Sequence, residues 1–295
     1  MIVIVGAGFV GHLVKRHLGD EATLLKGYFR SIDDLRTALK PLQPTAVINS
    51  ALLGTTASIE KIAPTGPEWT EHVISNVLLP EWLALLAEEL NYRLVHFSTL
   101  MFLDWPGELN NGDHSGYNEV TGLVKNTAGL PMYTLMKWWA EQRLILQRPS
   151  VINPERIIVI RMHLLFSGLP HQRNLFSRMP RFTSFTVEPV SMTDIDGCIR
   201  VIGQLLERPK AAGIFHCVNQ GYMAPLRVAE IMQEEGLIPA NQRLGESTLA
   251  KVAQDSNIPQ PRVVAYSSRL PEFGIAMEPI ETAARRAVRA LVSAS

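Results

Sequence analysis

The sequence predicts an α/β fold, a doubly wound parallel sheet with helices on both faces, followed by a smaller, C-terminal α+β region. Three observations lead to this prediction. Short apolar runs of strand length alternate with helical patterns through the first 162 of 295 residues, as they do in parallel sheets whose strands are connected by helices. The first run, IVIV at 2–5, ends in the glycine-rich segment GAGFVG at 6–11. Beyond residue 162 the alternation becomes irregular.

Each element follows from a local pattern. Strands are predicted at 2–5, 22–25, 45–50, 93–99, 156–162 and 213–219, where short β-branched or apolar runs occur. Helices are predicted at 9–18, 31–39, 68–90, 131–148, 193–207, 225–236 and 279–293, where the apolar residues recur with helical spacing. Ser31 can cap the second of these helices, and Asp34 stands three residues later. Two irregular insertions, 51–67 and 100–130, interrupt the pattern, and a loop as long as the second is usually a functional lid or a mobile segment.

The composition indicates a globular protein and excludes several classes of partner. Apolar residues make up 46% of the chain, and 28 basic residues balance 28 acidic ones. Without a basic tract, nucleic acid and anionic membranes are poor partners, and no apolar run approaches the ~18 residues of a membrane span. Cys198 and Cys217 stand among apolar residues and are expected to be buried thiols in a reducing compartment. We therefore expect a cytoplasmic protein with a small-molecule substrate and no metal site.

The segment GAGFVG matches G-x-G-x-x-G directly after the first strand and at the start of the first helix, the context that gives this pattern its meaning. Gly6 permits a tight turn, Gly8 lets a pyrophosphate approach the backbone, and Gly11 lets the helix pack closely on the strand. The backbone N–H groups at the helix start, around Phe9 and Val10, favour phosphate. The sequence therefore predicts a Rossmann-type dinucleotide site.

The end of the second strand decides between the two common dinucleotides. It reads LLKGYFR, which places Lys26 and Arg30 near the expected adenosine ribose and offers no carboxylate for a ribose 2′-hydroxyl. Two cations at this position favour the 2′-phosphate of NADP over NAD. The alternative interpretation is that both are solvated surface bases.

The segment PMYTLMKWWAEQ at 131–142 holds a candidate proton-transfer pair. Tyr133 and Lys137 are four residues apart and share one helix face, and a nearby ammonium lowers the pKa of a tyrosine. The fourth strand ends in Ser98 and Thr99, at the sheet edge where ligands of such folds gather. Thr99 can polarise a substrate carbonyl, whereas Ser98 points to the other face of the strand.

In this order the motifs resemble those of the extended short-chain dehydrogenase/reductase family, and most closely its dTDP-4-dehydrorhamnose reductase type. The third-strand segment VINSAL at 47–52, which contains Ser50 and Ala51, looks like the family's cofactor-contacting motif. Three further segments resemble family motifs and extend the match along the chain: LVHFSTLMFLDW at 94–105, NLF at 174–176 and RVVAYSSRLPEFGI at 262–275.

The resemblance implies a set of roles. Thr99 and Tyr133 would contact the substrate carbonyl, while Lys137 would hold the nicotinamide ribose and tune Tyr133. The glycine segment, Ser50 and Ala51 would bind the dinucleotide. The expected activity is NADP-dependent reduction of a ketone, aldehyde or keto-sugar.

Two alternatives stay open, an epimerase that uses a bound dinucleotide on the same residues and a non-catalytic, dinucleotide-binding regulatory subunit. Leu100 and Met101 stand where the sugar-nucleotide dehydratases of this family carry an acidic pair, so dehydration is not expected.

The sequence pattern and the family resemblance also predict how the chain divides into domains and that it forms a homodimer. Residues 1–162 with 190–219 are predicted to bind the dinucleotide, 163–189 with 220–280 to form a substrate-binding region, and 281–295 to form a C-terminal helix. The helices that carry Trp82 and the pair Trp138–Trp139 commonly form a dimer seam in this family, so a homodimer is expected.

Three arginines, Arg173, Arg178 and Arg181, could bind a substrate phosphate or carboxylate. The alternative interpretation is that they are scattered surface arginines.

Overall fold

The structure, a computed structural model, describes residues 1–103, 116–120, 127, 129–146, 152–258 and 260–294. Most of the long segment predicted at 100–130 therefore lies outside the described residues, as do 147 and 148 of the helix predicted at 131–148. The chain divides into two compact units, the first made of 1–102, 127–161 and 202–215 and the second of 103–126, 162–201 and 216–295.

The helices and strands confirm the predicted α/β fold. The described strands are β1 (Ile2–Val5), β2 (Ala22–Leu25), β3 (Ala46–Asn49), β4 (Arg93–Thr99), β5 (Ile157–Met162), β6 (Leu165–Phe166), β7 (Ser184–Thr186), β8 (Thr193–Asp194), β9 (Gly213–His216) and β10 (Gly245–Ser247). The described α-helices are α1 (Phe9–Leu18), α2 (Ile32–Leu39), α3 (Thr56–Ile59), α4 (Gly66–Val73), α5 (Leu79–Glu89), α6 (Met132–Glu141), α7 (Leu175–Arg178), α8 (Ile195–Leu206), α9 (Pro225–Glu234), α10 (Leu249–Ser256) and α11 (Ile280–Ser293).

The central sheet has six strands in the order β2-β1-β3-β4-β5-β9. β1 pairs in parallel with β2 on one side and with β3 on the other, so Val5 lies opposite both Leu25 and Asn49. After β1 the chain forms β2 on one side of β1 and then crosses over to form β3 on the other side of β1. In such sheets a crevice for ligands opens at the carboxyl ends of the strands where the order reverses, here β1 and β3.

The core of the first unit is apolar and holds two of the three tryptophans singled out above. Trp82 packs against a buried cluster built mainly from the strands and from α2 and α5. Trp139 packs against a smaller cluster of Ile59, Val77 and Met136. Trp82, Trp138 and Trp139 are all partly exposed, so exposure alone does not single out one of them as an interface anchor.

Two helices differ from the uniform helices predicted at 68–90 and 131–148. α4 and α5 are joined by a π-helical turn, Ile74–Leu78, and α6 continues into a second one, Gln142–Leu146. In the first turn the Asn76 amide accepts a hydrogen bond from the Leu53 N–H at 2.8 Å and donates one to the Leu53 carbonyl at 3.1 Å. The wider turn therefore carries a side chain that holds the segment after β3, and such turns often occur at functional sites.

The second unit has its own core, built around α9 and α11. Phe166 and Phe176 are fully buried and stack with ring centroids 4.3 Å apart. The sequence analysis did not predict β6, β7, β10 or α10, because two- and three-residue strands and an exposed helix show no clear periodicity. Residues 193–194 form β8 instead of the first turn of the predicted helix, because the Thr193 hydroxyl and the Asp194 N–H bond to residues 217 and 219 of the same unit.

The two cysteines are free and buried, as expected. In the described part of the chain, no helix combines the length and the apolar character that crossing a bilayer requires.

Candidate active site

The glycine turn after β1 has the geometry that its sequence predicts. Gly6 has a φ of +105°, and a Cβ on it would lie 2.5 Å from the backbone nitrogen of Ala51. A Cβ on Gly11 would lie 2.0 Å from the Gly6 carbonyl oxygen and 2.7 Å from the Ser50 hydroxyl oxygen. Any side chain at either position would force the turn, the helix and the end of β3 apart.

The start of α1 is open to an anion. Gly8 occupies the cap position without a side-chain cap, and the first turn contains no acidic residue. Because the N–H groups and the positive dipole end of a helix attract phosphate, this arrangement fits the pyrophosphate of a dinucleotide. The buried Phe9 anchors the first turn in the core, while Val10 is only partly buried.

Ser50 and Ala51 lie beside this turn, at the end of β3. The Ser50 hydroxyl lies 2.9 Å from the Gly6 carbonyl and 3.1 Å from the Val5 carbonyl, so it can donate to either. The Asn49 side chain accepts a hydrogen bond from the Ala51 N–H at 3.1 Å. The structure therefore brings together the glycine turn and the two residues that the family resemblance assigned to it.

Lys26 and Arg30 follow β2, which ends at Leu25 as predicted. Lys26 is exposed, and among the described residues it has no hydrogen-bond or ion-pair partner. Arg30 lies 3.8 Å from a Glu71 carboxylate oxygen and 5.6 Å from the centre of the Tyr28 ring. Lys26 is therefore the cation better able to bind a 2′-phosphate, because the charge of Arg30 is already partly neutralised by Glu71.

Thr99 and Tyr133, which are 34 residues apart in sequence, meet at the end of β4. The Thr99 hydroxyl lies close enough to the Tyr133 phenol to lower its pKa, and it also accepts a hydrogen bond from the Met101 N–H at 3.2 Å. The start of α6 is held in turn by Glu60, whose carboxylate accepts a hydrogen bond from the Tyr133 N–H at 3.0 Å. Thr99 is buried and Tyr133 is partly buried, so the two hydroxyl groups form a polar site in a largely apolar wall.

The predicted influence of Lys137 on Tyr133 was wrong for this structure. Burial raises the pKa of Tyr133 to about 12, and the nearby Thr99 hydroxyl lowers it only in part. The Lys137 ammonium instead donates a 2.9 Å hydrogen bond to the Phe97 carbonyl. Tyr133 is therefore protonated at neutral pH, which suits a proton donor better than a proton acceptor.

Lys137 is 6% exposed, and burial lowers its pKa from 10.5 to about 8. The unfolded chain therefore binds more protons than the folded chain between these two values, so the contribution of Lys137 to stability should rise with pH across that window. Below about pH 8 the folded chain bears the full cost of a buried ammonium.

Between about pH 7 and about pH 10, the unfolding free energy of the wild type should increase by roughly 3 kcal/mol relative to that of Lys137→Met. Chemical denaturation at a series of pH values measures this difference. Methionine keeps the length of the side chain but does not titrate. A difference that stays constant across the window would show that Lys137 has an ordinary pKa.

A buried ion pair lies one helical turn beyond Lys137. The Nε of Arg161, on β5, donates to both carboxylate oxygens of Glu141 at 3.1 Å, and both side chains are almost fully buried. The Ser98 hydroxyl donates to the same carboxylate at 2.9 Å. The Arg161 guanidinium also lies 5.0 Å from the centre of the Phe102 ring. This network connects α6 with the ends of β4 and β5.

No sequence motif marks Glu141 or Arg161 as site residues. The spacing gives a weak indication for Glu141, because Tyr133, Lys137 and Glu141 follow one another at intervals of four and so share one face of α6. A carboxylate on the buried face of a helix requires a buried partner. Ser98, ranked below Thr99 as a catalytic group, has its own role as a donor to Glu141.

Comparison with known proteins establishes the fold. No protein-family model matches the chain, and no curated protein matches it in sequence. Solved structures match over nearly the whole chain. A UDP-rhamnose synthase from Acanthamoeba polyphaga mimivirus superposes with a TM-score of 0.80 at 15% identity, covering 98% of this chain and 99% of that chain.

Two other matches were solved with dinucleotides. A dTDP-4-dehydrorhamnose reductase from Bacillus anthracis, in complex with NADP, has a TM-score of 0.77 at 16% identity and covers 100% of this chain and 98% of its own. The enzyme WbmH from Bordetella bronchiseptica, in complex with NAD⁺, has a TM-score of 0.73 at 16% identity and covers 99% and 97%. At such low identity the likeness shows that the chain has the fold of these enzymes.

Proposed function

We propose that the chain is an NADP-dependent oxidoreductase of the extended short-chain dehydrogenase/reductase type, which reduces a carbonyl group. The observation that carries this proposal is the contact between Tyr133 and Thr99, with Lys137 on the same face of α6. A phenol and a hydroxyl at the carboxyl end of a parallel strand, beside a phosphate-accepting glycine turn, are the groups that this reaction needs. The fold shared with dinucleotide-bound enzymes supports the same conclusion.

The dinucleotide would be held by the glycine turn, the start of α1, and Ser50 and Ala51. Lys26 would bind the 2′-phosphate, and Lys137 the nicotinamide ribose. When bound, the reduced nicotinamide supplies a hydride to the carbonyl carbon. Tyr133 donates its proton to the carbonyl oxygen, and Thr99 donates a hydrogen bond that stabilises negative charge on that oxygen.

The pKa of Tyr133 is consistent with its proposed role as a proton donor. With a pKa of about 12, Tyr133 is almost entirely protonated at neutral pH. An epimerase that uses a bound dinucleotide would need the same residues, so the products of the reaction must distinguish the two activities. Because the similar structures include enzymes of rhamnose biosynthesis by name, keto-sugars and sugar nucleotides are the first substrates to test.

Turnover separates this proposal from a non-catalytic regulatory subunit. The purified chain should oxidise NADPH in the presence of at least one member of a panel of ketones, aldehydes, keto-sugars and keto-sugar nucleotides. Loss of absorbance at 340 nm measures the reaction, and the reduced product should appear in equal amount. Tight NADPH binding without turnover across the panel would favour the regulatory subunit.

We expect NADPH to bind more tightly than NADH, with Lys26 as the main cause. A charge-assisted hydrogen bond contributes roughly 1.5–3 kcal/mol, so Lys26→Gln should weaken NADPH binding about tenfold or more and leave NADH binding unchanged. Arg30→Gln should have a smaller effect because Glu71 already neutralises part of its charge. Fluorescence titration of each nucleotide measures both affinities.

The matched control for this experiment is Lys40→Gln, which removes one positive charge from the end of α2 instead of the end of β2. Its affinities for NADPH and NADH should equal those of the wild type. Equal affinity of the wild type for the two nucleotides would contradict the NADP assignment.

A further inference from the structure

A cavity of about 530 Å³ lies within the second unit, beside α7 and the turn Met179–Arg181. Its volume falls in the range of about 300–1,000 Å³ that is common for small-molecule sites. Basic and apolar side chains both contribute to its wall. Those that matter here are His171, Arg178, Arg181, Leu237, Pro170 and Pro180.

The two arginines differ from the arginines of α9 and α11. In the described residues neither Arg178 nor Arg181 has a carboxylate partner, and the sequence contains no acidic residue from 163 to 187. By contrast, four arginines on α9 and α11 each bond at least one carboxylate: Arg227, Arg285, Arg286 and Arg289. Arg178 and Arg181 thus keep their full charge next to the cavity, in the planar form that suits bidentate binding of an anion.

His171 adds a donor to the same wall. Its Nδ1 accepts a hydrogen bond from the Arg173 N–H at 3.0 Å, so the neutral imidazole carries its proton on Nε2. The backbone N–H of His171 donates to the Ser177 hydroxyl at 3.2 Å. These two bonds hold the loop in place at the rim of the cavity.

The apolar part of the wall is rigid. Phe176 is fully buried and stacks on Phe166 with an interplanar angle of 10°. Phe176 and Leu291 therefore lie behind the wall, and its accessible apolar surface comes from Leu237, Pro170 and Pro180. A ligand that matches this wall has an anionic group and an apolar body.

We propose that this cavity binds an organic phosphomonoester, with its phosphate on Arg178 and Arg181 and its apolar body against Leu237, Pro170 and Pro180. A phosphomonoester carries about −1.5 to −2 charges at neutral pH, which two guanidinium groups neutralise. A single carboxylate would leave one guanidinium uncompensated. The chemistry of the wall therefore selects a phosphate over a carboxylate, and an ester over inorganic phosphate.

The probe for this site is phenyl phosphate, titrated calorimetrically into the full chain at low ionic strength. We expect binding at one site, weakened by added salt, and an affinity about tenfold or more lower in Arg178→Gln and in Arg181→Gln. Arg173→Gln is the matched control, because it removes the same charge from the same segment at an exposed residue that does not line the cavity. Its affinity for phenyl phosphate should equal that of the wild type.

Circular dichroism should show all three variants folded, since each substituted side chain is exposed. The proposal fails if phenyl phosphate does not bind at millimolar concentration, or if Arg173→Gln weakens binding as much as the other two variants. Equally tight binding of benzoate would overturn the choice of phosphate. Equally tight binding of inorganic phosphate would overturn the role of the apolar wall.

Discussion

Replacing Tyr133 by phenylalanine should lower turnover by about 10²–10⁴, the usual range for a positioned general acid. The change deletes only the hydroxyl that lies near Thr99 and keeps the ring, so the fold and the affinity for NADPH should change little. Steady-state kinetics with the best substrate of the panel, together with a nucleotide titration, measure both quantities.

Two further variants distinguish the roles within the site. Thr99→Val should lower turnover with little effect on NADPH binding, because Thr99 contacts the reacting oxygen in the proposed mechanism. Lys137→Met should lower turnover and also weaken NADPH binding, because Lys137 is proposed to hold the nucleotide as well. If Tyr133→Phe keeps wild-type turnover, the proton comes from another group and the proposed mechanism is wrong.

Glu141→Gln should destabilise the chain by about 3–5 kcal/mol, the usual cost of breaking a buried ion pair by removing one charge. The substitution preserves the size of the side chain but leaves the Arg161 guanidinium buried without a counterion. Chemical denaturation at neutral pH, with the same unfolding slope in both proteins, measures the loss.

Two controls isolate the buried charge. Glu88→Gln removes one side of the Arg156–Glu88 bond, which has a similar length of 2.9 Å but lies at the surface, so its cost should be at most about 1 kcal/mol. The double variant Glu141→Leu with Arg161→Met should lose much less stability than Glu141→Gln, because no buried charge is left unpaired. Similar losses for Glu88→Gln and Glu141→Gln would show that burial does not determine the cost.

Local patterns predicted much of the fold and the arrangement of the candidate site. The Ser31 cap is seen, since its hydroxyl accepts a hydrogen bond from the Asp34 N–H at 3.1 Å. The glycine turn was predictable because G-x-G-x-x-G follows a strand and opens a helix, although Gly6 and Gly11 also lie against the distant residues Ala51 and Ser50. The position of Thr99 followed from one further rule, that ligand-facing residues gather at the carboxyl ends of parallel strands, whereas its shared role with Tyr133 was implied by the family resemblance.

What the sequence did not reveal depends on contacts between distant residues. The direction of the Tyr133 pKa depends on burial, which no spacing indicates. The π-helical turn at Ile74–Leu78 adds a residue to a helix whose apolar pattern is otherwise ordinary. The Glu141–Arg161 pair joins residues 20 positions apart, and only the packed sheet shows that both are buried.

The strand order also has a consequence for how the chain folds during synthesis. β9 completes the sheet beside β5, yet it begins 51 residues after β5 ends (213 − 162), a delay of roughly 3–10 s at usual rates of synthesis. Arg93 on β4 depends on the same late segment, since it donates to the Leu205 and Leu206 carbonyls. Until that segment emerges, the nascent chain exposes the edge of β5, whose six residues are all buried in the finished protein. An open apolar edge of this kind invites pairing with other chains, so any fragment that ends before residue 213 should be prone to aggregation.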